Sequence, residues 1–369
     1  MKPAPLGAEN KSIMPGPQTP FWLVLVFAVV LPLVASALVA LLVRSAHRAE
    51  RVAARLRAGE LFRLLGGGVA GRIGERDLRR AVSRADHEPF WDAMEAITLT
   101  LRPRERRDLA RSLRSSAHLA RERRLLAGSE PAARRELAAR RLGMLPGARG
   151  RRVLRGALAR GPESVSLAAA RSLARHRDLK ALHWLLEHPS ALARRPLPAL
   201  SGLLRSFGPG ARAVLIGALE RGIAQPRVEC ACIDALGMSR CRSARETIAR
   251  RLQAPHLELR VAAARALGQL GMGEAIPALV PALADHGWPV RAMAAQALGR
   301  LGATPAVEAL SACVSDRSWW VRHHAAYALA ALGDEGRGAL CELAARASDT
   351  FAREMAREAL DSRTDARRA

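Results

Sequence analysis

Eight leucines stand at a fixed interval along the chain: Leu142, Leu173, Leu204, Leu236, Leu267, Leu298, Leu329 and Leu360. Each gap is 31 residues, apart from one of 32 between Leu204 and Leu236. A period of this length is the mark of a stacked array, in which each unit buries its apolar face against its neighbours. Such arrays present long surfaces rather than enclosed reaction sites. Function is therefore sought first in a binding partner.

The surroundings of each leucine define the unit. Three successive units read Leu259-Arg-Val-Ala-Ala-Ala-Arg-Ala-Leu267, Val290-Arg-Ala-Met-Ala-Ala-Gln-Ala-Leu298 and Val321-Arg-His-His-Ala-Ala-Tyr-Ala-Leu329. Ala263, Ala294 and Ala325 precede the leucines by one helical turn, where a small, helix-favouring residue lets two helices approach closely. Leu270, Leu301 and Leu332 extend the apolar stripe, and Gly271, Gly302 and Gly333 predict the helix ends. A second apolar segment lies upstream of each, as in 275–284 and 306–314, closed by Asp285 or Asp316. Each unit is thus predicted to be helix–turn–helix.

These residues resemble the HEAT-repeat superfamily, in its short bacterial form, the phycobilisome-lyase HEAT-like repeat. The pattern that carries the likeness is Asp285, Val290-Arg291, Ala294-Ala295, Ala297-Leu298-Gly299 and Leu301-Gly302, repeated one unit later. It is clear over 227–333, continues through 335–362, and keeps phase over 132–206 while its glycines drift. The resemblance implies an all-α fold, an armadillo-like α-solenoid of about 7–8 repeats over 132–362.

Phe21 to Val43 is a second constraint, with 23 residues and no charge. That length suffices for a transmembrane helix, and Pro32 at its middle is tolerable there. Arg44, Arg48, Arg51, Arg55 and Arg57 follow it, whereas only Lys2 and Lys11 precede it. The positive-inside rule then puts the Pro-rich tail 1–20 outside and the repeats on the cytoplasmic face of a bacterial inner membrane. A cleaved signal peptide ending at Ala35-Ser-Ala37 is the rival, opposed by six further apolar residues after Ala37.

The net charge of +25 is distributed unevenly. From Arg44 to Arg160 there are 29 arginines against 13 acidic residues, an excess of 16. This excess adjoins the apolar segment, where anionic headgroups attract basic chain. Nucleic acid is the competing partner, but no recognition motif appears and aromatics make up only 4% of the chain. The five cysteines form no disulfide framework. Cys230 and Cys232 are too close along one helix to clamp one ion, and Cys232 fills the slot of the packing alanines.

Between segment and repeats, 44–131 reads as a basic capping region. Its predicted helices are Arg44–Leu65 ending at Gly66-Gly67-Gly68, Glu75–Arg84, Pro89–Leu101 and Glu105–Leu126. Phe90, Trp91, Met94 and Ile97 share one helical face, suited to packing on the array or, alternatively, to docking a partner. Residues 363–369 form a short tail.

The resemblance also brings enzymatic relatives. Deoxyhypusine hydroxylase holds two irons on His-Glu pairs at the start of second helices. Here His323 matches the histidine slot, but His324 replaces the glutamate, and the corresponding Ala292-Met293 and Val261-Ala262 cannot ligate metal. His87-Glu88 lies outside the recognisable repeats. Nothing specifies a bilin pocket, a phosphate loop or a nucleophile elbow. The expectation is a non-enzymatic scaffold without cofactor that holds a protein partner; the alternative is an enzyme or chaperone-like protein of the bilin-lyase or deoxyhypusine-hydroxylase class.

Candidate partner-binding residues follow from variation. Two places before each leucine stand Arg171, Gly202, Asp234, Arg265, Gln296, Tyr327 and Glu358. A chemically varied column beside monotonous alanines suggests a solvent-facing ridge, which the HEAT resemblance would place on the concave face. Tyr327, the single tyrosine, suits a binding hot spot. An aromatic and histidine patch of Trp320, His323 and His324 is a second candidate. Trp288 and Trp319, one period apart, are expected to pack between repeats. Arg260, Arg291, Arg322 and Arg353 recur once per unit, which suggests pairing with the preceding aspartates or with helix ends.

Overall fold

A computed structural model describes residues 31–191 and 195–366. The described residues form helices and no strands, and their contacts divide the chain into two compact units, one through Thr100 and one from Leu101. The basic segment expected over 44–131 thus straddles this division.

The first unit holds α1 (Leu31–Val69), α2 (Glu75–Arg84) and α3 (His87–Thr100). Its core is built from Leu61 and Leu65 of α1, Leu78 and Val82 of α2, and Phe90, Trp91, Met94 and Ile97 of α3. That buried stripe is the packing face of α3, not a free docking face. Helix α1 does not stop at Gly66 as expected but runs through the glycines to Val69. A Cβ at Gly67 would lie 2.7 Å from Ile73 and one at Gly68 2.8 Å from Leu78, so these glycines let the returning chain press against the helix. The first ten residues of the apolar segment 21–43, and the tail before it, lie outside the described residues. From Leu33 to Val43 the segment is helical, with large apolar side chains exposed all round. Among the described residues no helix is long and apolar enough to cross a membrane.

The second unit begins with α4 (Pro103–Ser112) and α5 (Ala117–Ala127). They replace the single helix expected over Glu105–Leu126, because the chain breaks at Leu113 and Ser116 opens a new helix by accepting from the His118 N–H at 3.3 Å. Eight helices then carry one leucine of the ruler each: α6 (Ala132–Leu142), α8 (Glu163–Arg175), α10 (Leu197–Ser206), α12 (Pro226–Met238), α14 (Leu257–Leu270), α16 (Trp288–Leu301), α18 (Trp319–Ala331) and α20 (Thr350–Ala366). Between them stand α7 (Ala148–Arg160), α9 (Leu179–Glu187), α11 (Ala211–Arg221), α13 (Arg245–Ala249), α15 (Ile276–Leu279), α17 (Val307–Cys313) and α19 (Gly333–Arg346).

The ruler leucines are buried except Leu360 of α20, which is half-buried. Gly271 and Gly302 end α14 and α16 in the left-handed conformation (φ +68° and +65°), as the sequence predicted. The first helix of the unit before α16 is not continuous: α15 is flanked by 3₁₀ turns at Gly273–Ala275 and Pro281–Ala284. Pro281 has no N–H to give and cannot continue the ladder.

Candidate functional site

Three geometries meet on the second helices of the last repeats. The first is a set of arginine clasps between units. Arg260 of α14 donates to both carboxylate oxygens of Asp285, 2.8 and 3.1 Å away, and its remaining donors reach the Ala254 and Pro255 carbonyls. One unit on, Arg291 grips Asp316 at 2.7 and 2.9 Å and the carbonyls of Asp285 and His286. Each arginine thus takes its preceding loop by the backbone and the following unit's aspartate by the carboxylate. The pairing anticipated with the preceding aspartates runs instead to the next ones. Burial disfavours the Asp316 charge, but the Arg291 hydrogen bonds and the Ser318 N–H outweigh it and hold the carboxyl below its usual range. Asp285 is held low in the same way, by Arg260 and the Gly287 N–H against its burial.

The clasp changes at both ends of this run. In α12, Glu229 stands where the arginine would be, and Arg251 meets it at 2.6 Å, so the charges are exchanged while the joint survives. At the other end, Arg322 reaches the Asp316 and Arg317 carbonyls, but the position 25 residues on is Ala347. Its buried Nε has no hydrogen-bond partner, and the guanidinium lies 5.3 Å from the Phe351 ring centroid.

The varied column is the second geometry. Asp234 and Arg265, one period apart, form a bidentate pair with contacts of 2.9 and 3.1 Å. Burial raises the Asp234 carboxyl despite that arginine. The Tyr327 hydroxyl donates to Glu358 at 3.4 Å, again one period apart. Arg171 and Glu358 are exposed, Arg265, Gln296 and Tyr327 half-buried, and Asp234 buried. The column therefore couples successive units at two of its steps.

The third geometry is an aromatic stripe along α18. Trp319 stacks on His323 with centroids 4.8 Å apart, and His323 packs against Tyr327 at 4.3 Å. Trp320 lies over His324 at 6.4 Å and meets Trp319 edge-on. These contacts recur every four residues because α-helical side chains at that spacing share a face. The stripe joins the two candidate groups, since Tyr327 belongs to the column and Trp320, His323 and His324 to the patch. Burial, then the neighbouring His323 and Arg300, lowers the His324 pKa.

Trp288 and Trp319 do not close over the core as expected. Each is 46% exposed, and Leu257, one period earlier, is 40% exposed. A row of apolar side chains thus recurs at the start of α14, α16 and α18, continued by the exposed Trp320 and Phe351. Leu257 and Phe351 were not anticipated from the sequence; their places one period before Trp288 and one period after Trp320 were the available signal.

Cys230, Cys232, Cys241 and Cys313 are buried. Burial pushes the Cys230 thiol up to about 12 and the Cys313 thiol to about 11, and raises Cys232 as well. Among the described residues no group of three or more His, Cys, Asp or Glu side chains could hold a metal ion.

This is the architecture of a solenoid whose second helices carry both its joints and its exposed apolar row. Residues 212–299 and 276–361 match the family model of HEAT repeats, and the fold is a HEAT-repeat α-solenoid. No curated protein matches the chain. Among solved structures it is similar to an engineered protein (19% identity over 82% of this chain and 93% of that one, TM-score 0.37). It is also similar to the complex of CpcE and CpcF of phycocyanin lyase from Nostoc (23% identity, 79% and 94% covered, TM-score 0.25). A third is human deoxyhypusine hydroxylase in complex with glycerol (17% identity, 85% and 97% covered, TM-score 0.30).

Proposed function

We propose that the protein is a scaffold or adaptor that binds a protein partner through the second helices of its last repeats and is held at a membrane by the segment Phe21–Val43. The observation that supports partner binding is the exposed apolar row of Leu257, Trp288, Trp319 and Trp320, continuous along α18 with the stripe to Tyr327. Contiguous exposed aromatics on a rigid helix favour binding, because little side-chain freedom is lost when they are covered. Gln296 and Glu358 are polar members of the column that would border such an interface, whereas Arg171, on α8, lies three second helices before it. Anchoring is favoured by the apolar run itself and by the arginines behind it, with the repeats then cytoplasmic and the tail outside.

The test is crosslinking in cells that express the full chain. Substituting Trp320→Ala and Tyr327→Ala together is expected to reduce the recovered partner roughly tenfold or more, the loss typical of hot-spot aromatics. Undiminished recovery of the same crosslinked protein from the double variant would reject this surface. Extraction of the full chain by carbonate wash, without detergent, would reject the anchor.

A further inference from the structure

A cavity of about 560 Å³ opens between α5, α6 and α7, far along the array from the aromatic stripe. Its floor is apolar, formed by Ala110, Leu119, Leu142 and Leu145, all buried. Its walls carry Arg114, Ser115, Arg123 and Arg149, with no acidic residue in the lining. Three other arginines, all of α6, are matched: Arg134 to Glu130, Arg140 to Glu136, and Arg141 to the buried Glu122. Among the described residues the three cavity arginines have no carboxylate partner.

The first turn of α7 adds to this concentration of donors. Gly147 is its N-cap and supplies no side-chain cap, and 147–150 line the cavity. The unpaired N–H groups and positive dipole end of a 13-residue helix thus border the same space as the arginines. Arg123 feels the crowding: its burial, and then the Arg149 charge, lower its pKa. Among the described residues no carboxylate pairs with either arginine to relieve that repulsion, whereas an anion would.

We propose that this cavity binds a phosphate monoester carried on an apolar body, the phosphate held by Arg123, Arg149 and the α7 N-terminus, and the apolar part lying on the leucine floor. The volume is in the range of small-molecule sites, about 300–1,000 Å³. Arginine matches phosphate by its planar fork of donors. The apolar floor separates this ligand from inorganic phosphate, which could use only the rim.

Titration calorimetry on the full chain tests this with hexyl phosphate and with inorganic phosphate. Hexyl phosphate is expected to bind saturably at one site, roughly tenfold or more tighter than inorganic phosphate, since burial of a few methylenes suffices for that ratio. Arg123→Gln or Arg149→Gln should each weaken it by roughly tenfold, whereas Arg205→Gln and Arg212→Gln, in a separate open groove, should not. Ala148→Glu places a competing carboxylate at the helix N-terminus, where it favours helix stability. It should abolish binding while the thermal midpoint holds or rises, so that loss of fold cannot imitate loss of site. Competition by phosphatidic acid vesicles, absent with phosphatidylcholine vesicles, would identify a lipid source; indifference to both would identify a soluble ester. Absence of saturable hexyl phosphate binding overturns the proposal, as does equal weakening by the Arg205 and Arg212 substitutions.

Discussion

At the scale of single residues, the clasp arginines show how one position sets the fate of a joint. Arg322 differs from Arg260 and Arg291 only in what stands 25 residues on, where Ala347 replaces an aspartate. The backbone at Ala347 (φ −60°, ψ 134°) nearly reproduces that at Asp285 (φ −57°, ψ 144°). Ala347→Asp should therefore give the buried Arg322 Nε an acceptor and stabilise the last repeats by about 1 kcal/mol, read as a rise in thermal midpoint. His176, at the end of α8, is a liability of the opposite kind. Burial, then the Arg151 charge, lowers its pKa to about 4. A folded-state pKa below the unfolded value near 6.5 means the unfolded chain takes up the proton first. Stability is then full above pH 6.5 and declines as pH falls towards 4, by about 3 kcal/mol in all. His176→Gln should flatten denaturant midpoints across that window, and an unchanged slope would assign the acid sensitivity elsewhere.

At the scale of elements, the second helices approach so closely that side chains are excluded at the contact. A Cβ built on Gly268 would lie 2.7 Å from the Ala297 Cβ, and one on Gly299 2.8 Å from that of Ala328. Gly299→Ala should accordingly cost about 1–3 kcal/mol by overpacking, measured by urea unfolding, although alanine is the better helix former. The sequence disclosed these helices through their alanines and leucines, because one buried stripe per helix imposes a period that survives without coordinates. It disclosed the glycine stops for the same reason. The clasps were harder to read, since an arginine lies between two aspartates and only the stacking distance decides which one it meets. The exchange at Glu229 and Arg251 hid the joint further, because the charges swap sides. The aromatic stripe was visible as residues four apart, but its continuity with the column required the turn of α18. The arginine cavity was not visible at all: Arg114, Arg123 and Arg149 belong to three separate segments in a chain crowded with arginine.

At the scale of the whole molecule, each joint completes itself within less than one period. Arg260 to Asp285 and Arg291 to Asp316 both span 25 residues of a 31-residue unit. Excising 271–301 would join Leu270 to Gly302, bring Arg260 opposite Asp316, and set Gly268 against Ala328 in place of Ala297. The shortened chain is expected to fold into an array one unit shorter, with native helicity per residue in circular dichroism. Its urea m-value should be lower in proportion to the lost surface; a molten product would show that the units are not equivalent at their joints. The exchanged pair of Glu229 and Arg251, only 22 residues apart, is equally self-contained. Within the run from Arg260 to Asp316, a tandem duplication of one 31-residue unit would arrive with a matched joint on either side, whereas one that copied Glu229 without Arg251 would set it against Glu220. That run could lengthen without first repairing a seam, whereas a unit added after Arg322, which finds Ala347 25 residues on, would have to bring its own aspartate.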